Sequence, residues 1–306
     1  MNISEQLQKI SEKLPGTIYF DKNMKNLNWF NSGGPARFFF APNTLEELVL
    51  FLKKFSNQLP IKVLGVGSNT LIRDGGYNGV IIKLGKNFSH ISKLDENTII
   101  AGTPVLDKRL SRFALDNSIG GLEFLSCIPG SIGGAIRMNS GCYGYDISQS
   151  IASIQIVDFN GVIKSIQAEN IKFSYRSSDL SNDLIFLSAT FKGKYQDKKK
   201  IKETIEKLSK DKKNTQPSKI KTCGSTFKNP TGQTKKRAWE LIKESKCNDI
   251  KIGDALISEK HCNFFVNSGS ATSNDMESLI NLVKEKVLQV TGIKLELELQ
   301  IIGEKK

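Results

Sequence analysis

Histidine is nearly absent from this sequence, which contains only His90 and His261. The five cysteines are odd in number, scattered along the chain and never spaced as CxxC. Zinc is usually bound by histidine and by closely spaced cysteine, so the composition argues against a metal site. Unpatterned cysteines are also more typical of reduced thiols than of a disulfide framework. We therefore expect no metal, and a protein of the cytoplasm.

Long apolar runs are absent as well. No stretch approaches the roughly 20 apolar residues that a membrane-spanning helix requires. The opening MNISEQLQKI has neither the basic start nor the apolar core of a signal peptide. The sequence therefore predicts a protein that does not insert into a membrane.

The positive charge of the chain is unevenly distributed. Of the formal net charge of +13, residues 192–221 contribute +8, because twelve lysines there face four acids. Within this segment Ile201, Ile205 and Leu208 repeat with the spacing of an amphipathic helix. The segment has no series of aromatic residues on which bases could stack. We favour a solvated basic helix and expect no nucleic-acid partner; a basic nucleic-acid-binding protein without a cofactor is the alternative.

Helical and strand patterns alternate along the 306 residues, which is typical of an α+β protein with two domains. Residues 44–47 form a capping box before a helix, and Asn160-Gly161 predicts a hairpin turn within 154–166. The basic helix indicates a boundary at about residue 195. We expect a first domain over 1–195, with a core of about 30–195, and a second over 196–306.

Two further expectations concern element ends. Thr103-Pro104 is predicted to open a helix that turns Leu106 inward and ends near Gly120-Gly121. The segment 294–302 alternates with a period of two, which predicts one long final strand. On that strand the side chains of Glu296 and Glu298 would share a face.

Glycine is concentrated in two loops of the first domain, GVGSNT (65–70) and PGSIGGA (129–135). Glycine turns expose backbone N–H groups that can bind an anion, and serine or asparagine adds donors without charge repulsion. Neither loop matches GxGxxG before a helix or GxxxxGK[ST]. The loops therefore fit a diphosphate cofactor on another scaffold, although either loop alone could be a structural turn.

Candidate polar groups lie in three other segments. In GSTFKNP (224–230), no base accompanies Ser225, so its hydroxyl is more plausible as a proton donor than as a nucleophile. Arg176 follows a tyrosine in FSYRSS (173–178) and offers a bidentate partner to a carboxylate. Taken alone, each of these residues, and each acid of the final strand, is better explained by a structural or solvated role.

Taken together, these and other segments resemble one family. The motifs, in chain order, are GVGSNTLIRDGG (65–76), GLEFLSCIPGSIGGAIRMNSGCYG (121–144), YR (175–176), QP (216–217), GSTFKNP (224–230), HCNFFVNSGSA (261–271) and LELELQIIGE (295–304). The sequence resembles the UDP-N-acetylenolpyruvoylglucosamine reductases over nearly its whole length. The resemblance implies an FAD-binding region of the vanillyl-alcohol-oxidase/p-cresol methylhydroxylase type, followed by a smaller α+β substrate-binding domain.

The resemblance also implies roles for individual residues. The catalytic residues would be Arg176, Ser225 and Glu298. Non-covalent FAD would be bound by Val66, Gly67, Ser68, Asn69, Thr70, Pro129, Gly130, Ser131, Gly133, Gly134, Asn139 and Gly141. The substrate would be contacted by Tyr143, Lys213 and Asn229. Little chain separates Arg176 from the next predicted strand at 184–193, so the chain resembles the shorter subclass that lacks an extra tyrosine-bearing loop.

The activity implied by the family is reduction of UDP-N-acetylglucosamine enolpyruvate to UDP-N-acetylmuramate, with NADPH as hydride donor. Ser225 would supply a proton, Arg176 would stabilise negative charge on the substrate, and Glu298 would assist. We expect a monomer. The alternative within the same fold is another non-covalent flavin oxidoreductase, acting on an alcohol or a sugar.

Overall fold

The computed structural model describes residues 2–12, 14 and 16–306. Packing divides these residues into two compact units, each of them discontinuous in sequence. Unit 1 comprises Met1–Phe20, Phe38–Val66 and Gly79–Lys212. Unit 2 comprises Asp21–Arg37, Gly67–Asn78 and Lys213–Lys306. The expected domain boundary near residue 195 stays a prediction.

Many strands of the described chain have only two or three residues, whereas its α-helices range from 6 to 19 residues. The α-helices are α1 Ile3–Ser11, α2 Leu45–Phe55, α3 Asp107–Asp116, α4 Ile132–Arg137, α5 Lys198–Thr215, α6 Ala238–Glu244 and α7 Ser273–Thr291. The strands are β1 Thr17–Asn23, β2 Pro35–Ala41, β3 Ile61–Val63, β4 Thr70–Ile72, β5 Tyr77–Ile82, β6 Ile91–Lys93, β7 Thr98–Gly102, β8 Ile119–Gly120, β9 Gly141–Cys142, β10 Tyr145–Asp146, β11 Ile151–Asp158, β12 Ile163–Gln167, β13 Phe173–Ser174, β14 Ser177–Ser178, β15 Leu184–Lys192, β16 Lys194–Tyr195, β17 Lys251–Ile252, β18 Ala255–Ile257, β19 Phe265–Asn267 and β20 Gln300–Ile302.

The larger sheet of unit 1 has five antiparallel strands in the order β12-β11-β15-β7-β6. Its central strand β15 is buried on both faces: Phe186, Ala189 and Phe191 belong to one core, and Ile185 and Leu187 belong to the core packed by α2. The predicted hairpin between β11 and β12 is present, and Gly161 takes a positive φ of 77° in its turn. Helices α3 and α4 contribute apolar side chains to the same core as this sheet.

The smaller sheet that contributes to unit 1 has the order β1-β2-β5-β3, and β3 lies parallel to β5. Helix α2 packs on it through Phe51 and Phe55, and the Phe51 ring stacks on that of Phe40 at 4.3 Å. The predicted capping box is confirmed, because the Thr44 side chain accepts from the Glu47 amide while the Glu47 side chain bonds back to the cap. The start of α2 is therefore set by its own sequence.

Unit 2 is built on the long helix α7 and a three-stranded antiparallel sheet, β17-β18-β19. The apolar face of α7 is fully buried; it consists of Met276, Leu279, Ile280, Val283 and Val287. Strand β4 pairs in parallel with the C-terminal β20. The C-terminal strand is thus tied to residues more than two hundred positions earlier.

The structure corrects two predictions of element ends. Helix α3 ends at Asp116 rather than near Gly120, because Ser118 has a positive φ of 59° that no α-helix accommodates. Leu106 is not turned inward: it precedes α3 and is 49% exposed.

The final strand is also shorter than predicted, since β20 covers Gln300–Ile302 alone. The amides of Glu298 and Leu299 both donate to the carbonyl oxygen of Thr226, which interrupts a regular ladder before β20 begins. Among the described helices, none combines the length and the apolar composition needed to cross a bilayer.

Candidate active site

In unit 1, the glycine-rich loop at 129–135 is hydrogen-bonded to residues 103–107, which lead into α3. Three backbone hydrogen bonds join them: Asp107 N–H to Gly130 O (3.1 Å), Ile132 N–H to Val105 O (2.9 Å) and Gly133 N–H to Thr103 O (3.0 Å). Leu106 lies opposite Ser131 in this antiparallel pairing. The position of the loop is therefore set by its backbone.

The second half of that loop is helical. Ser131 occupies the N-cap position of α4, and Gly133 and Gly134 lie in its first turn. The Ser131 side chain makes no capping hydrogen bond to this turn. Within the described residues, no backbone acceptor takes the amide hydrogens of Ser131 and Gly134. Both amides are therefore candidate donors to a ligand.

The two glycine-rich loops come together at Gly65 and Ser131, which both belong to unit 1. A Cβ atom at Gly65 would lie 2.8 Å from Ser131 Oγ, closer than real Cβ contacts allow. Glycine at position 65 thus leaves room for the serine hydroxyl. Val66, the next residue, is half-buried, whereas Pro129 is exposed.

Two tight hairpins present further predicted site residues. Strands β9 and β10 are joined by Tyr143 and Gly144, whose φ angles are 54° and 87°. Positive φ at both positions matches the twist of a two-residue hairpin. Strands β13 and β14 are joined by Tyr175 and Arg176, and Arg176 has a φ of 56°. Tyr143 and Arg176 therefore both lie at hairpin tips.

Hydrogen bonds connect these hairpins. Arg176 Nη2 donates to the carbonyl oxygen of Gly141 (2.9 Å), and Asn139 Nδ2 donates to that of Ser174 (3.1 Å). Asn139 also has a positive φ, of 40°. Such backbone is uncommon outside glycine and is concentrated at functional sites. Unit 1 thus groups Asn139, Gly141, Tyr143 and Arg176.

Unit 2 places Ser225 and Glu298 on adjoining segments of chain. Phe227 pairs with Leu297 in an antiparallel bridge, and the Glu298 amide donates to the carbonyl oxygen of Thr226 (2.9 Å). Ser225 and Glu298 are both half-buried. The predicted proton donor and the predicted carboxylate are therefore neighbours in the fold.

Residues 67–70 of the first glycine-rich loop are hydrogen-bonded to the chain segments that carry Ser225 and Glu298. Asn69 Nδ2 donates to the carbonyl oxygen of Glu298 (3.0 Å), and Thr70 opens β4 opposite Gln300. The Cys223 thiol donates to the carbonyl oxygens of Gly67 (3.7 Å) and Thr70 (3.6 Å). Burial raises the pKa of Cys223 to about 12, so this thiol stays protonated and can donate. Ser68, in the same loop, is half-buried.

The predicted substrate residues of unit 2 lie in different places. Asn229 Oδ1 accepts from the Ala238 amide (3.0 Å) and so fixes the loop before α6. That loop borders an open depression of about 620 Å³, lined also by Lys235, Lys236 and Arg237. Lys213 lies near the end of α5, and its carbonyl oxygen accepts from Lys260 Nζ (2.6 Å).

Sequence reasoning missed three titratable residues beside the loop at 129–135. Asp107 is completely buried. Cys127 and Cys142 are free thiols that face each other. A hydrogen bond between them lowers the pKa of Cys127 to about 6 and raises that of Cys142. No sequence signal marks them, because an acid in the first turn of a helix is ordinary and the two cysteines, fifteen residues apart, lack the CxxC spacing.

Comparison with known proteins identifies the class. A family described as "FAD binding domain" matches residues 36–167. A second, described as "UDP-N-acetylenolpyruvoylglucosamine reductase, C-terminal domain", matches residues 216–302. The chain is thus an FAD-binding α+β protein with a reductase-type C-terminal domain, as the sequence predicted.

Individual relatives narrow the class to one family. A curated UDP-N-acetylenolpyruvoylglucosamine reductase from Pelagibacter ubique is 52% identical over 97% of this chain and 99% of its own length. One from Rickettsia massiliae is 44% identical over 92% of this chain and 95% of its own. The chain belongs to the UDP-N-acetylenolpyruvoylglucosamine reductase family.

A solved structure supports the same family assignment. The crystal structure of UDP-N-acetylenolpyruvylglucosamine reductase from Thermus caldophilus superposes with a TM-score of 0.80 at 30% identity. The match covers 95% of this chain and all of that one. The family predicted from the motifs is confirmed, and the alternative flavin oxidoreductase is not favoured. The roles of individual residues stay predictions.

Proposed function

We propose that this chain is the flavoenzyme that reduces UDP-N-acetylglucosamine enolpyruvate to UDP-N-acetylmuramate, a precursor of peptidoglycan, at the expense of NADPH. The observation that carries the proposal is the 52% identity to a UDP-N-acetylenolpyruvoylglucosamine reductase over nearly the whole of both chains. The region that matches the C-terminal family contains both Ser225 and Glu298.

The residues of the two glycine-rich loops fit an FAD diphosphate. The loop at 129–135 offers the amides of Ser131 and Gly134, which have no backbone acceptor in the described chain. Gly65 leaves room for the Ser131 hydroxyl, which brings the two loops together. A diphosphate needs several uncharged donors at once, and this is what such loops supply. We therefore assign the binding of FAD to the twelve loop residues named in the sequence analysis.

Bound FAD supplies hydride transfer, from NADPH to the enolpyruvyl carbon C3 of the substrate. Electron density then moves toward the substrate carboxylate, and Arg176 stabilises that charge through its guanidinium. Ser225 donates its hydroxyl proton to C2, because the charged intermediate is basic enough to take a proton from an unactivated serine. Glu298 assists by hydrogen bonding.

Substrate contacts are assigned to Tyr143, Asn229 and Lys213. The basic side chains of the depression beside Asn229 support the binding of an anionic UDP-sugar in unit 2. The strained turn at Tyr143 supports a functional role for this exposed ring.

We assign residues 1–195 to FAD binding and 196–306 to substrate binding, which accords with the family matches at 36–167 and 216–302. We propose a monomer; the exposed large apolar side chains of the described residues come from many different elements. Five free cysteines support a reducing compartment, and we place the enzyme in the cytoplasm.

The proposal is tested by steady-state turnover of the purified, FAD-loaded protein. We expect NADPH oxidation that depends on UDP-N-acetylglucosamine enolpyruvate and yields a product with the mass of UDP-N-acetylmuramate. UDP-N-acetylglucosamine, which lacks the enolpyruvyl ether, is the matched control and should give no product. Equal NADPH oxidation with both sugars would overturn the proposal.

A further inference from the structure

Asp107 is a buried acid without a partner. Its side chain has no exposed surface, and neither carboxyl oxygen finds a hydrogen-bond partner among the described residues. An ionised carboxylate in such surroundings carries a large desolvation penalty, whereas the neutral acid carries a small one. Burial accordingly raises the pKa of Asp107 well above its usual range; the Gly130 amide faces the carboxyl without forming a full hydrogen bond and lowers the pKa by a smaller amount.

Other charged groups lie near Asp107 but do not compensate it. Lys108 and Arg109 follow it in α3. The 3₁₀ helix Glu123–Cys127 packs against α3 and carries Glu123 and the Cys127 thiol, and α5 brings Lys212 Nζ to the Cys127 carbonyl oxygen (2.8 Å). Within the described chain, none of these groups forms a hydrogen bond or ion pair with the Asp107 carboxyl.

The carboxyl of Asp107 lies directly against the proposed flavin loop. A Cβ atom at Gly130 would come within 2.6 Å of Asp107 Oδ2, so a side chain at this position would displace the carboxyl. The φ of Gly130 is not positive, so the glycine matters here for the space that it leaves rather than for its backbone angle. The Asp107 amide also donates to the Gly130 carbonyl oxygen (3.1 Å). Asp107 thus contacts Gly130 through both its backbone and its side chain.

We infer that Asp107 is a positioning residue for diphosphate binding: its uncharged carboxyl packs against Gly130 and holds the backbone of residues 129–131 in place for an anionic ligand. The inference rests on the proposed FAD site and deepens it. A carboxylate at the same place would repel a diphosphate and would pull the Gly130 amide toward itself. The role therefore requires that Asp107 keep its proton when FAD is bound.

The pH dependence follows from the sign of the shift. The folded protein holds the Asp107 proton more tightly than the unfolded chain does, because the folded pKa is raised. Its contribution to stability is therefore complete at low pH and is lost as the pH rises through the folded pKa. FAD binding should weaken over the same range, by at most about tenfold per pH unit for one proton.

The test compares FAD affinity of the apo-protein as a function of pH in the wild type and in Asp107→Asn, which keeps the shape and removes the charge. We expect the wild-type affinity to fall with rising pH relative to that of Asp107→Asn. Taking the difference cancels the titration of Cys127 and of the lysines. Asp116→Asn, at the exposed end of the same helix, is the control and should follow the wild type.

A second measurement does not involve FAD. The apo form of Asp107→Asn should unfold at a higher temperature than the wild type at alkaline pH, and the two should converge in acid. If Asp107→Asn fails to fold, Asp107→Ser takes its place in both measurements. FAD binding with parallel pH profiles in wild type and variant would overturn the role of Asp107 alone. A wild type that binds no FAD at any pH would overturn the proposed function as well.

Discussion

Left-handed backbone carries three of the candidate site's side chains, those of Asn139, Tyr143 and Arg176. A non-glycine residue with positive φ costs of order 1–3 kcal/mol in the less favourable cases. For Tyr143 and Arg176 the hairpins that they close impose this conformation. We interpret this strain as the consequence of placing the Tyr143 ring and the Arg176 guanidinium at the tips of two tight hairpins.

At this scale, the assignment of the catalytic carboxylate can be tested with a matched pair. Glu298→Gln should slow turnover far more than Glu296→Gln, because Glu298 adjoins the Ser225 segment and is half-buried whereas Glu296 is exposed. Steady-state rates of both variants with the enolpyruvyl substrate decide the question. An equal loss of turnover in the two variants, or a larger loss in Glu296→Gln, would contradict the assignment of the catalytic carboxylate to Glu298.

A second residue-scale prediction concerns space reserved for FAD. A Cβ atom at Gly134 would meet only Ser131 Oγ, at 3.9 Å, so Gly134→Ala fits the protein itself. The apo-protein should keep or gain stability, by up to about 1 kcal/mol, since alanine favours helix over glycine. FAD affinity should fall, because the methyl group occupies the space of the ligand. Calorimetry of FAD binding and thermal unfolding of the apo form measure the two effects.

The choice of position matters for this test. A Cβ atom at Gly133 would lie 3.1 Å from the Cβ of Thr103, so a substitution there would press on the protein itself as well as on a ligand. Unchanged FAD affinity in Gly134→Ala would show that no ligand approaches the first turn of α4.

Among the elements, α7 is held at its start by an ion pair. Arg73 donates from Nε and Nη2 to both carboxylate oxygens of Glu277 (2.9 and 2.8 Å) and from Nη1 to the carbonyl oxygen of Gly303 (3.1 Å). This arginine therefore ties the end of β4 to α7 and to the C-terminal segment. The bond to Arg73 lowers the pKa of Glu277.

Because the folded pKa of Glu277 is depressed, its contribution to stability is present above the unfolded pKa and is lost as the pH falls through the folded value. We expect Glu277→Gln to lower the free energy of unfolding at neutral pH by about 1–3 kcal/mol. The difference from the wild type should shrink in acid. Urea unfolding at several pH values measures it, with exposed Glu285→Gln of the same helix as control. A pH-independent difference would contradict the ion-pair account.

Elements with a local cause were predictable from the sequence. The capping box of α2 and the turn at Gly161 depend on residues a few positions apart, and both are present. The short β20 was not predictable, because its start depends on two amides that share the carbonyl oxygen of Thr226. Asp107 escaped notice for a similar reason, since its contact with Gly130 arises only in the folded chain.

For the whole molecule, the family resemblance made the chemistry predictable, whereas composition and periodicity alone left several classes open. The candidate residues are distributed over both units, each of which is assembled from separate segments. The pairing of β4 with β20 joins residues that are far apart in the sequence, and no short stretch of sequence predicts it. The motifs predicted the family because proteins that share a fold carry the same motifs in the same order along the chain. The motifs do not reveal which of their residues are in contact.

A prediction for the intact protein concerns how FAD is held. Covalent flavin attachment commonly uses a histidine in the phosphate-loop region, where this chain has Ser68 and Asn69. Denaturation of the FAD-loaded protein should therefore release all flavin into solution and leave a colourless precipitate. Absorbance of the two fractions measures this, and flavin retained by the washed precipitate would contradict non-covalent binding.

The central claim, that the chain reduces an enolpyruvyl ether with a proton from Ser225, is tested most directly by following flavin absorbance without oxygen in wild type and in Ser225→Ala. NADPH should bleach the flavin at similar rates in both, because that step needs no proton from this hydroxyl. The colour should then return quickly when UDP-N-acetylglucosamine enolpyruvate is added to the wild type, and about 10²–10⁴-fold more slowly in Ser225→Ala. Reoxidation of Ser225→Ala at the wild-type rate would contradict the assigned proton donor, and a wild type that stays bleached would contradict the proposed reaction itself.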